Sequence, residues 1–159
     1  MNENQNTKEK ICSFYASDYH FEMMSLPYIE KKIESNKEVV ILTENNLEDT
    51  IKTLLSRTNL SSDKKEKILK VNWKNDDFNK FKKIKGEINK EKDLIVFVKG
   101  NENYIKNINE NIEKWLKNDG KIKIIDCYDI EEIGENINSI MNQYNRVLNT
   151  TGEKDIQKI

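Results

Sequence analysis

The residues with reactive chemistry to offer are few. The chain of 159 residues has one histidine, His20, and two cysteines, Cys12 and Cys127. His20 is the one side chain whose ordinary pKa lies near neutrality. Asp18 stands two positions before it, and Cys12 lies on the preceding apolar run. A Cys-His nucleophilic pair needs a thiolate, which forms beside a cation or at a helix N-terminus. Cys12 falls in the middle of KICSFY, and Cys127 falls in IKIIDCYD. Both are therefore expected as buried, reduced thiols. Two cysteines and one histidine do not make a Cys/His zinc site, and no metal is expected. Asp126 closes the run IKIID and resembles the aspartate that holds magnesium in nucleotide-binding sheets. That role needs a phosphate loop for the ion to serve, and without one a helix cap or surface acid is the expected use.

The phosphate loop is the next thing to look for. Such a loop wraps phosphates in backbone N–H groups from a glycine-rich stretch and neutralises them with a Lys-Ser/Thr pair. The turn after the first apolar run reads YASDYHF, with neither glycine nor lysine. It places Asp18 where an anion would meet the helix N-terminus, so the carboxylate occupies or repels that position. A GxGxxG stretch is absent as well, and no nucleotide or other cofactor is expected.

These residues need a scaffold. Short β-branched runs alternate with segments of helical period. Strands are expected at Lys10–Tyr15, Glu38–Thr43, Val71–Trp73, Asp93–Lys99 and Lys121–Tyr128. Asp18 caps a helix through HFEMMSLPYIEKKIES, in which Pro27 predicts a kink or short break near Ser25–Pro27. Further helices are expected around Leu47–Leu55, over SSDKKEKILK, from Asp76 or Asp77 onward, over NENYIKNINENIEKWLKNDG with Gly120 as C-cap, and over DIEEIGENINSIMNQYNRVL. Five strands alternating with helices predict an α/β, three-layer sandwich with a mainly parallel five-stranded sheet. A RecA-like and a flavodoxin-like strand order both satisfy the pattern. Residues 1–9 read as a disordered tail, 10–148 as one α/β domain, and 149–159 as a polar tail or short helix. Ligands in such sheets bind beyond the strand carboxyl ends. The expected ligand-binding residues there are Tyr15, Ser17, Asp18, His20, Thr43, Glu44 and Asp126.

The segment ICSFYASDYHFEMMSLPYIEKKIESNKEVVILTE carries a resemblance on Cys12, Phe14, Tyr15, Pro27, Tyr28, Ile29, Glu38 and Val39 to Leu42. It resembles the start of MEDS-type sensory domains, with Ser35-Asn36 where those domains usually have a glycine. The resemblance implies a RecA-type core that has lost its phosphate loop and serves as a signal-input domain. Relatives of that kind are often fused to a kinase or DNA-binding module. Neither motif is visible in this chain, so a stand-alone input or partner-binding version is implied.

Composition narrows the partners. Lys+Arg total 27 and Asp+Glu 28, a net charge of −1, which leaves no global field to draw in nucleic acid. KKEK at 64–67 and KFKKIK at 80–85 are interrupted by acids and apolar positions and have no aromatic platform. No apolar run approaches the ~20 residues of a membrane span, and MNENQNTKEK lacks the apolar stretch of a signal peptide. A cytoplasmic location is expected. The leading expectation is a non-catalytic sensory or regulatory domain that binds a small ligand or a protein partner. One alternative is a small hydrolase or transferase using His20, Asp18 and Asp126, which requires the three to converge. Another is a structural module that assembles as a homodimer.

Overall fold

The computed structural model describes residues 7–88, 93–116 and 121–156. In chain order the elements are β1 (Thr7–Tyr15), α1 (Asp18–Glu34), β2 (Glu38–Thr43), α2 (Glu48–Ser56), α3 (Ser62–Leu69) and α4 (Asp77–Glu87). There follow β3 (Leu94–Gly100), α5 (Glu102–Trp115), β4 (Lys121–Asp129), α6 (Ile130–Ile133), a 3₁₀ turn, α7 (Ile137–Met141), β5 (Arg146–Asn149) and β6 (Gly152–Asp155). The strands form one sheet in the order β2-β3-β4-β1-β5-β6, parallel throughout except for the final β5–β6 hairpin. Among the described residues no helix is long and apolar enough to cross a membrane.

Side-chain alternation divides the core in two. One sheet face presents Ile11, Tyr15, Val39, Ile41, Ile95, Phe97, Ile125 and Cys127 to α1, α2, Ile68 of α3 and Trp73. The other presents Cys12, Val40, Leu42, Val96, Val98, Ile122, Ile124 and Tyr128 to α4, α5, α6 and α7. Strands β2 and β3 are apolar at nearly every position because helices cover both sides.

The structure departs from the sequence expectations at five places. The sheet has six strands, and β1 lies between β4 and β5. A flavodoxin-like order, which sets β1 beside β2, is not formed. Val71–Trp73 is not a strand. Trp73 is buried as a plug, its indole N–H donating to Ile68 O at 2.9 Å while its own carbonyl receives Leu47 N–H. Helix α1 runs unbroken through Pro27. Pro27 is exposed, whereas Met24, Leu26 and Ile29 around it are buried and hold both halves of the helix on the sheet. The expected last helix ends early: Gly134 takes φ +51°, and Arg146–Leu148 turns back to pair with Ile11–Ser13. The ends of the domain differ too, since β1 begins at Thr7 and the polar C-terminal segment contributes β6. The Gly120 cap falls outside the described residues.

Candidate functional site

Three strand ends meet over the α1 face. Thr43, the last residue of β2, pairs in register with Lys99 near the end of β3, and Tyr15 closes β1. Lys99 is the one charged residue in LIVFVKG, and its side chain is 4% exposed. Its ammonium lies 2.8 Å from Asp18 Oδ1 and donates to Asn45 Oδ1 at 2.9 Å. It also stands over the rings of Tyr15 (4.7 Å) and Phe21 (5.6 Å), whose faces favour a cation. Asn45 turns its other amide atom to the same carboxylate, with Nδ2 donating to Asp18 Oδ2 at 2.8 Å. Thr43 Oγ1 fixes Asn45 by receiving its backbone N–H at 3.3 Å. Asp18 is thus gripped through both oxygens, while its side chain stays 40% exposed.

The turn that carries Asp18 is capped locally. Ser17 is the N-cap of α1, its hydroxyl accepting the His20 N–H at 3.1 Å. The His20 Nδ1 accepts Ala16 N–H at 2.9 Å, which commits that ring nitrogen to the turn. One helical turn further, buried Glu22 accepts a hydrogen bond from the Thr50 hydroxyl. Burial pushes the Glu22 carboxyl up from its ordinary value, and the nearby Asp18 charge adds to that, while Thr50 and Lys99 oppose it.

Glu44 belongs to a neighbouring junction. Its Oε1 accepts the Asn101 backbone N–H at 2.7 Å, at the N-cap of α5. Gly100 permits this approach: a Cβ there would lie 2.6 Å from Glu44 Oε1 and 2.5 Å from Tyr104 Cδ2. Tyr104 in turn donates to Asp77, whose carboxyl is raised by burial. Beside it Lys80 is buried, and the desolvation lowers its ammonium to about 8 while it donates to the Lys74 carbonyl.

Asp126 sits on the opposite face of the sheet. It pairs in register with Val98, one residue before Lys99, so its side chain points the other way. It is fully buried. Tyr144 OH donates to it at 2.7 Å, Asn109 Nδ2 at 2.9 Å, and the Lys10 ammonium lies 3.4 Å away. Tyr128 OH stands 2.6 Å from Tyr144 OH, and with Tyr144 donating to Asp126, Tyr128 donates to Tyr144. A groove of about 580 Å³ between α5 and α7 opens over Lys10, Asn109, Tyr128 and Tyr144. His20, Asp18 and Asp126 therefore do not converge, because the sheet separates the last from the first two. The thiols are unreactive in character. Cys12 and Cys127 are free and buried on opposite faces, and burial raises Cys12 to about 12 and Cys127 well above its ordinary value.

Of the seven residues expected to bind ligand, Tyr15, Asp18 and Thr43 come together around Lys99 and Asn45. Ser17 and His20 hold the adjoining turn, Glu44 caps α5, and Asp126 lies on the far face. Lys99 and Asn45 were missed. The signal for Lys99 was a lone cation ending a run that is otherwise apolar. Compared with family models, with curated proteins and with solved structures, the chain matches none.

Proposed function

We propose that this chain is a non-catalytic sensory or regulatory domain with a RecA-like core, binding a small ligand or protein partner at the strand carboxyl ends. The observation that carries the reading is the Asp18–Lys99 pair. In a phosphate-binding sheet the turn after β1 leaves N–H groups and a lysine free for the anion. Here the turn supplies its own carboxylate, which consumes the charge of the buried lysine. The position of β1 between β4 and β5 supports the RecA-like reading over the flavodoxin-like one. The resemblance of the first strand and helix to MEDS-type domains supports a signal-input role, and the proposed setting is the cytoplasm.

The output runs through α1. Tyr19 and Met23 lie one turn apart on this helix and are 57% and 46% exposed, directly after the residue that Lys99 grips. A ligand that favours one position of the first turn shifts the population of that surface. The testing experiment has two arms on pure protein. ATP and GTP at millimolar concentration are expected neither to bind at residues 15–21 nor to be hydrolysed. A metabolite or partner that stabilises the protein is expected to slow amide exchange in those residues. Triphosphate seated in the turn, or cleaved, overturns the reading.

A further inference from the structure

Resting on the reading above, we propose that Lys99 and Asn45 form a receptor for a small-molecule carboxylate, and that Asp18 is its built-in, displaceable occupant. The receptor half is held by its own contacts. Its two donors come from different strand ends and reach the two oxygens of one carboxylate at the same 2.8 Å distance. Lys99 also donates to Asn45 Oδ1, which fixes the amide with its NH₂ toward the carboxylate. Thr43 and the rings of Tyr15 and Phe21 hold these donors from behind. Within the receptor the Lys99 side chain is buried, 4% exposed, whereas Asn45 is exposed and the side chain of Asp18 is 40% exposed. Asp18 is the first residue of α1, so a side-chain rotation releases it to water while the donors stay in place.

A carboxylate from solution then meets the same two donors and the N-terminal end of a 17-residue helix. The charge count favours a monoanion. One ammonium is available, and the Glu22 carboxyl stands close enough to be affected by both Asp18 and Lys99, so a phosphate dianion is disfavoured. Binding would release Asp18 and with it the first turn that leads to Tyr19 and Met23. The chain's own side chain makes the site self-limiting, because a tethered competitor acts at millimolar effective concentration.

The probe is acetate, titrated against chloride at matched ionic strength. The readouts are the NMR signals of the Asn45 side-chain amide and the Asp18 carboxyl carbon. In wild type, acetate is expected to move the Asp18 carbon toward its solvent-exposed value while Asn45 keeps a carboxylate-bound shift. In Asp18→Ala the Asn45 shift is expected to saturate at least tenfold tighter, and Asp18→Ala/Lys99→Met is expected to lose saturation. If Asp18→Ala does not fold in chloride, acetate is expected to restore folding. An unsaturable response in Asp18→Ala, an equal response to chloride, retained binding in the double variant, or an unmoved Asp18 in wild type each overturns the proposal. If acetate fails while another ligand or partner still protects residues 15–21 from exchange, the carboxylate inference falls and the sensory reading stands. Triphosphate in the turn removes both.

Discussion

At the scale of single residues the Lys99–Asp18 pair is asymmetric, and that asymmetry makes a prediction. Removing one member of a buried pair strands the other charge, at a cost of about 3–5 kcal/mol when both are enclosed. Here only the ammonium is enclosed, and solvent at Asp18 screens part of the interaction. Asp18→Ala leaves a buried ammonium with Asn45 and two ring faces, and is expected to cost about 1–3 kcal/mol. Lys99→Met fills the same space with an apolar chain and releases Asp18 to water, so it is expected to cost under about 1 kcal/mol. Urea denaturation of the two variants checks the order. An equal cost would remove the asymmetry, and a reversed one would show that the carboxylate, and not the lysine, is the residue held against its preference. The lysine could be suspected from sequence, because a cation ending an apolar strand must find a partner. Its partner could not, since Asp18 and Asn45 come from two other strand ends: the register of β2 with β3 brings Asn45 to it, and the pairing of β3 with β4 and of β4 with β1 brings Asp18.

At the scale of elements, the junctions decide what the periodicity leaves open. The alternation of apolar runs with helical segments was enough to place β1, β2, β3, β4 and their covering helices, because a strand buried on both faces has a distinctive composition. The same logic misplaced Val71–Trp73, where an apolar triplet serves as a core plug, and joined Arg146–Leu148 to a helix. The four-residue β5 is too short to show a period of its own, and its pairing with Ile11–Ser13 lies far off in sequence. The β3–α5 junction shows how tightly such joints are built. Gly100 lets Glu44 reach the amide of Asn101, the N-cap of α5, placing an anion at a helix N-terminus. Gly100→Ala drives a methyl against Glu44 and Tyr104. Glu44 is exposed and can swing away, whereas the Tyr104 ring packs on the core and must shift, so the protein is expected to fold but to lose about 1–3 kcal/mol, from crowding and the displaced cap. Thermal unfolding measures the loss. A Glu44→Ala background should remove part of it, and fully additive losses would show that cap and glycine act independently.

At the scale of the whole molecule, the question is what closes the sheet beyond β1. The β5–β6 hairpin does so, and one carboxylate ties it to the rest. Glu153 accepts hydrogen bonds from Tyr28 OH of α1 at 2.7 Å, Lys123 of β4 at 3.0 Å and Arg146 of β5 at 3.0 Å. Burial alone would push this carboxyl up, but the hydrogen bonds from Tyr28 and Lys123, the Lys123 charge and the Arg146 contact outweigh it and hold it below its ordinary value. A carboxyl whose folded pKa is depressed contributes stability that is fully present above the unfolded value, here 4.5. That contribution is lost as pH falls through the lower, folded value. Glu153→Gln keeps the size of the side chain and removes its charge. It is expected to cost about 1–2 kcal/mol at pH 7, in line with hydrogen bonds to a charged, partly screened group. The difference from wild type is expected to shrink as pH falls below about 4.5. Hydrogen exchange separates a local from a global effect: in the variant at pH 7, amides of β5 and β6 should open more readily while those of β2 and β3 keep their protection. Uniform loss across the sheet would mean that the hairpin and the central strands unfold as one unit. The ligand signal proposed for the carboxyl end of β1 would then reach the hairpin edge directly, through the strand that both of them share.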